Sequence, residues 1–99
     1  MTVTELAIFP LTHRLTKNCP TLPSSLIQKL LIAKFALEAA SGHSFYYFQQ
    51  IEDPSIIYIV GAWDSIAAHH TFLPSPENQR LLELLKDDIF MSKTSEKTM

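Results

Sequence analysis

Glycine and cysteine are nearly missing from this chain, with two glycines and one cysteine in 99 residues. A lone Cys19 excludes an intramolecular disulfide framework and any cysteine-based zinc cluster. Gly42 and Gly61 lie far apart, so no glycine-rich phosphate loop can be built from them. No apolar run approaches the roughly 18 residues that span a bilayer. With Glu5 early and Pro10 close behind, no secretory leader is expected. Charge of one sign is scarce too. The net charge is −2 with the signs scattered, which leaves no electrostatic footprint for nucleic acid or an anionic membrane. One globular domain in a reducing, cytoplasmic setting is the expectation.

What the chain does have is an unbroken apolar stretch from Ile56 to Trp63. Its β-branched and aromatic residues read as a strand. Alternation puts Ile57, Ile59, Gly61 and Trp63 on one face and Ile56, Tyr58, Val60 and Ala62 on the other. Neither face is polar, so both must be covered. Val3 to Phe9 reads as a first strand in which Glu5 shares a face with Ala7 and Phe9. Ionised groups are seldom buried, so Glu5 is expected at the rim. Pro10 to Pro23 reads as a long surface connector.

Ser24 or Ser25 is expected to cap a helix that runs to Ala40, Ser25 and Gln28 having capping-box spacing, with Ser41-Gly42 as its stop. Its stripe of Leu26, Leu30, Ala33 and Leu37 is widened by Ile27, Leu31 and Phe35, a breadth that asks for a second neighbour. Phe45 to Ile51 reads as a strand joined to the central one through Glu52-Asp53-Pro54-Ser55. Ser65 should cap a short helix ended by Pro74, and Ser75-Pro76 should open a last helix with the stripe Leu81, Leu82, Leu84 and Leu85. A short fourth strand is expected within Asp88–Lys93. Residues 1–93 then form the single domain and 94–99 a frayed tail.

This order is the α+β, ferredoxin-like βαββαβ arrangement with a four-stranded antiparallel sheet. With both helical units on one side, the other sheet face is expected to expose Phe9, Tyr47, Ile57, Ile59 and Trp63. Burying such side chains yields roughly 1.5–3 kcal/mol each, so a homodimer paired sheet to sheet, enclosing a partly apolar space, is the expected assembly.

The phrases Glu52-Asp53-Pro54-Ser55, Gly61-Ala62-Trp63-Asp64-Ser65, Ala68-His69 and Phe72-Leu73-Pro74-Ser75 resemble the antibiotic-biosynthesis-monooxygenase type of dimeric α+β barrel, especially its small fungal members. The likeness runs from about Thr4 to Asp88. It implies a small-molecule enzyme or a silent relative of one. The haem-degrading branch uses an Asn, Trp and His set whose places fall near Phe9, Phe72 and Leu82, which disfavours that reaction. The plant polyketide-cyclase branch uses a Tyr and a His whose places are Phe72 and Asn78. That pair is missing as well.

The residues left to do chemistry are Trp63, Tyr47, Tyr58, Glu5, His43, His69 and His70. Adjacent histidines on a helix point about 100° apart, so His69 and His70 cannot share a ligand, and no other group stands at metal-ligand spacing. His69 lies three residues before Phe72 and should share its face, which makes it the preferred catalytic base, with His70 second. Trp63, Tyr47, Phe72, Ile59, Glu5 and Asn78 form the expected substrate-binding set. The expected reaction is cofactor-free oxygenation, cyclisation or rearrangement of a phenolic or polyketide-like molecule. An imidazole would remove the phenolic proton, with Trp63 and Tyr47 holding the ring. The rival is a non-catalytic binding or stability module with a filled interior, and a third reading, partner-helix binding, rests on the stripe from Leu26 to Leu37.

Overall fold

The computed structural model describes residues 2–90 and the backbone of the strand at 95–98. Its elements are β1 (Val3–Pro10), α1 (Ser24–Ser41), β2 (Tyr46–Gln49), β3 (Ile56–Trp63), α2 (Ile66–Phe72), α3 (Pro76–Leu85) and β4 (Ser95–Thr98). The sheet runs β2-β3-β1-β4 with every neighbour antiparallel, the ferredoxin-like order. The sheet-closing strand lies further along than expected. Within Asp88–Lys93 the described residues hold only a bridge from Leu11 to Ile89, the rest lying outside them. β4 falls in the stretch from which a frayed tail is expected.

Local chemistry explains most boundaries. The Ser65 and Ser75 hydroxyls accept from the backbone N–H of Ala68 and Asn78 and start α2 and α3, as N-caps do. Gly42 ends α1 in the left-handed conformation at φ 77°, its N–H donating to the Glu38 carbonyl, a conformation glycine adopts without strain. The start of α1 departs from expectation. The Pro23 carbonyl accepts from Ile27, so the helix begins one residue before the supposed capping box, and no side chain caps it. The long segment after β1 is folded onto the body, with Leu15 N–H bonded to the Ser55 hydroxyl and the His13 ring 2.8 Å from Asp88 Oδ1.

The two sheet faces are exchanged relative to expectation. Ile57, Ile59 and Trp63 point under the helices and join Leu26, Leu30, Ala33, Phe45, Phe72, Leu81 and Leu85 in the core, with Phe9 and Tyr47 packed against it. The open face instead carries two cross-strand rows, Leu6–Val60–Tyr46 and Ile8–Tyr58–Phe48. Tyr46 and Phe48 are more than half exposed there. Gly61 belongs to the covered face because the Phe45 ring fills the place of its missing side chain: a Cβ there would lie 2.3 Å from that ring.

Candidate functional site

Strand pairing brings one carboxylate inside. Glu5 stands opposite Gly61 in the β1–β3 ladder, and Trp63 is its diagonal neighbour, within reach of long side chains. The Trp63 indole N–H donates to Glu5 Oε1 at 2.7 Å. His69, projecting inward from α2, places Nε2 3.2 Å from the same oxygen. Its ring stacks on the indole at 5.1 Å and 20°, and Phe72, one turn on, meets the indole at 5.1 Å from another side. Glu5 is only 5% exposed and His69 only 2%. Burial pushes the Glu5 carboxyl above its ordinary range, against the opposing pull of the Trp63 hydrogen bond. The expectation of a rim carboxylate is therefore overturned. The inward register of β1 puts Glu5 in the core, where the Trp63 N–H donates to it and the His69 ring stands beside the same oxygen, in place of water.

Beside this group, between sheet and helices, lies a cavity of about 50 Å³. Its wall is formed by Glu5, Phe9, Leu37, Ile59, His69, Phe72, Leu73, Asn78, Leu81 and Leu82. Five of the eight residues singled out from the sequence thus meet at one space: Glu5, Ile59, His69, Phe72 and Asn78. The other three do not line it. His70 is exposed. Trp63 stands behind the wall with its N–H committed to Glu5. Tyr47 donates its hydroxyl to the Leu30 carbonyl at 2.6 Å, and burial raises its pKa well above the ordinary phenol value. His43 sits in its turn, with Nε2 2.8 Å from Asp64 Oδ1. In this geometry the expected ring-holders Trp63 and Tyr47 are off the cavity wall, with their N–H and O–H committed to Glu5 and to the Leu30 carbonyl.

Of the other lining residues, Phe9 and Leu82 stand near places that the resemblance gave to a family site set, whereas Leu37, Leu73 and Leu81 were not anticipated. Leu37 and Leu81 could have been found from their core-facing stripes once α1 and α3 were packed side by side. Asn78 donates its amide to the Leu73 carbonyl at 2.7 Å, which fixes the side chain at the wall. The arrangement offers an acid–base pair in an apolar surround, and among the described residues no Lys or Arg lines it. Among the described residues no three His, Cys, Asp or Glu side chains converge as a metal site, and no helix is long and apolar enough to cross a membrane.

No protein-family model and no curated protein matches the chain. Solved structures do match in fold. The cofactor-independent oxygenase SnoaB from Streptomyces nogalater superposes with a TM-score of 0.75 at 10% identity, over 99% of this chain and 90% of that one. A candidate antibiotic biosynthesis monooxygenase from Nitrosomonas europaea gives 0.73 at 7% identity, over 99% and 88%. A dabb-family protein with a ferredoxin-like fold from Mesorhizobium loti gives 0.73 at 17%, over 99% and 94%. The resemblance to the antibiotic-biosynthesis-monooxygenase type, drawn from the motifs, therefore holds at the level of the fold.

Proposed function

We propose that this protein is a cofactor-independent small-molecule enzyme acting on a phenolic or polyketide-like substrate in the cavity beside Glu5 and His69, and that it works as a sheet-to-sheet homodimer. The observation that carries this reading is the Glu5–His69 contact at the cavity wall. The pair takes the phenolic proton, and Glu5 stabilises the imidazolium while Trp63 holds the carboxylate in place. In the oxygenase version the electron pair released from carbon goes to dioxygen: a ring CH₂ becomes C=O, one oxygen atom stays in the product and the other leaves as water. Phe72, Ile59 and Phe9 hold the ring, and position with dryness supplies most of the rate. An oxygenase of the same fold supports the oxygenation variant. The open rows of Tyr46, Phe48 and Tyr58 support the homodimer.

One observation favours the non-catalytic module. A cavity near 50 Å³ is smaller than the ~150 Å³ apolar space that holds a benzene ring, so a substrate has to open it. Turnover of anthrone- and phenol-type compounds by wild type, His69→Ala and Glu5→Gln tests the proposal, together with quenching of the single tryptophan, Trp63. Turnover that falls by about 10²–10⁴-fold in both variants supports the proton-transfer role. Equal rates remove the pair from the mechanism, and neither turnover nor quenching with any compound returns the protein to the module reading.

A further inference from the structure

The outward side of α1 carries no charge. Nine of its residues are exposed: Ser24, Ser25, Ile27, Gln28, Leu31, Ile32, Phe35, Ala39 and Ala40. The three charged residues of the helix are half-buried and engaged elsewhere, Lys29 with Asp88, and Lys34 with Glu38. On that uncharged surface Ile27 is 42% exposed, Leu31 44%, Ile32 54% and Phe35 62%. The contrast within the same layer is plain, since the exposed residues of α3 include Glu77, Arg80 and Glu83. Apolar residues that continue onto the outer side of a helix ask for cover there as well, and among the described residues the core partners of α1, from Leu26 to Ala33, lie on its other side.

We propose that a second copy of this chain covers that surface, through antiparallel packing of α1 against α1. The stripe Ile27–Leu31–Phe35 is a four-residue ridge, the kind that interdigitates in the commonest helix-packing class. A two-fold axis near Leu31 sets Phe35 of each copy beside Ile27 of the other, a self-complementary contact. With no charge on the face, an acidic or basic partner gains nothing from it, and a membrane-surface helix would carry Lys or Arg along its flanks. Ile27, Leu31, Ile32 and Phe35, 42–62% exposed, form the apolar centre of the face, and Ser24, Gln28 and Ala39 its polar or small rim. That is the layout of a specific interface, which needs about 1,000 Å² from the two copies together. This pairing uses the side of the molecule opposite the open sheet and does not depend on catalysis.

Sedimentation of wild type, Phe35→Glu and the sheet-face variant Tyr58→Glu, from micromolar to millimolar concentration, tests it. The expected result is that Phe35→Glu halves the mass of the assembly while Trp63 fluorescence stays native. It should do so whether or not Tyr58→Glu also halves it. Should Phe35→Glu lose the native fluorescence, Ile32→Lys takes its place. Mild oxidation of Leu31→Cys in a Cys19→Ser background should join two chains covalently. An assembly mass that the α1 variant leaves unchanged overturns the proposal, as does a halved mass without that cross-link.

Discussion

The indole N–H of Trp63 and the carboxylate of Glu5, 58 residues apart in the chain, meet at 2.7 Å in the core. The donor satisfies a buried acceptor, so its removal by Trp63→Phe should destabilise the fold by about 2–3 kcal/mol. Urea denaturation followed by circular dichroism measures this.

The same site sets a pH dependence. Burial raises the Glu5 pKa above its ordinary value of 4.5, so the folded state holds that proton more tightly than the unfolded chain does. Its contribution is complete below the unfolded value and is lost as pH rises through the folded one. The titratable group facing Glu5 among the described residues is His69. Wild type should therefore lose stability relative to Glu5→Gln as pH climbs from about 4. Parallel stability profiles for the two proteins would refute a raised carboxyl.

Gly61 is the second constraint on the covered sheet face. The Phe45 ring stands 2.3–2.5 Å from where a Cβ would be, and it also meets Trp63 edge-on at 6.0 Å. Gly61→Ala should cost about 2–3 kcal/mol or more by overpacking. Combining it with Phe45→Leu should recover part of the loss, because the two changes share one space. Thermal unfolding of the single and double variants checks the coupling.

Much of the fold was legible because its signals are local. The run Ile56–Trp63, the Ser65 and Ser75 caps and the Gly42 stop each act within a turn of chain, and the structure has them where the sequence predicts. The direction of each sheet face was not legible. Alternation separates Ile57, Ile59 and Trp63 from Tyr58 and Val60, but with both sets apolar it does not say which meets the helices. Phe45 over Gly61 decides that, and it is a contact across sequence. Glu5 was misjudged for the same reason. Its place depends on Gly61 opposite, on the Trp63 donor and on the His69 ring beside it, none of them near it in the chain. His69 was legible as facing inward from its spacing to Phe72 alone.

Asp88 fastens three segments. Its two oxygens lie 2.8 Å from Lys29 Nζ on α1 and 2.8 Å from His13 Nε2 in the segment after β1. The Lys29 hydrogen bond first, and His13 after it, hold the carboxyl below its ordinary value of 3.8. A lowered folded value means the contribution is present above the unfolded pKa and lost as pH falls through the folded one. Asp88→Asn should cost about 2 kcal/mol at neutral pH, as expected for hydrogen bonds to a charged group. The difference should shrink as pH falls below the ordinary 3.8 and through the lowered folded value, where the wild-type carboxyl becomes protonated too. Chemical denaturation across that range measures it.

The proposed sheet-to-sheet homodimer makes the last prediction. Tyr58 sits at the middle of the row Ile8–Tyr58–Phe48, flanked by both neighbours at the same register. Its hydroxyl already accepts from Gln50 at 2.7 Å, so the ring is held in place before any partner arrives. A carboxylate there would be desolvated against its own copy across a two-fold axis, where like charges oppose each other and apolar area is lost. In a background carrying Phe35→Glu, so that only the sheet contact remains, Tyr58→Glu should shift the dissociation constant upward by at least about 10²-fold, about 2.7 kcal/mol. Sedimentation equilibrium reads this directly, and an unchanged dimer mass would mean that the open sheet face is not the contact.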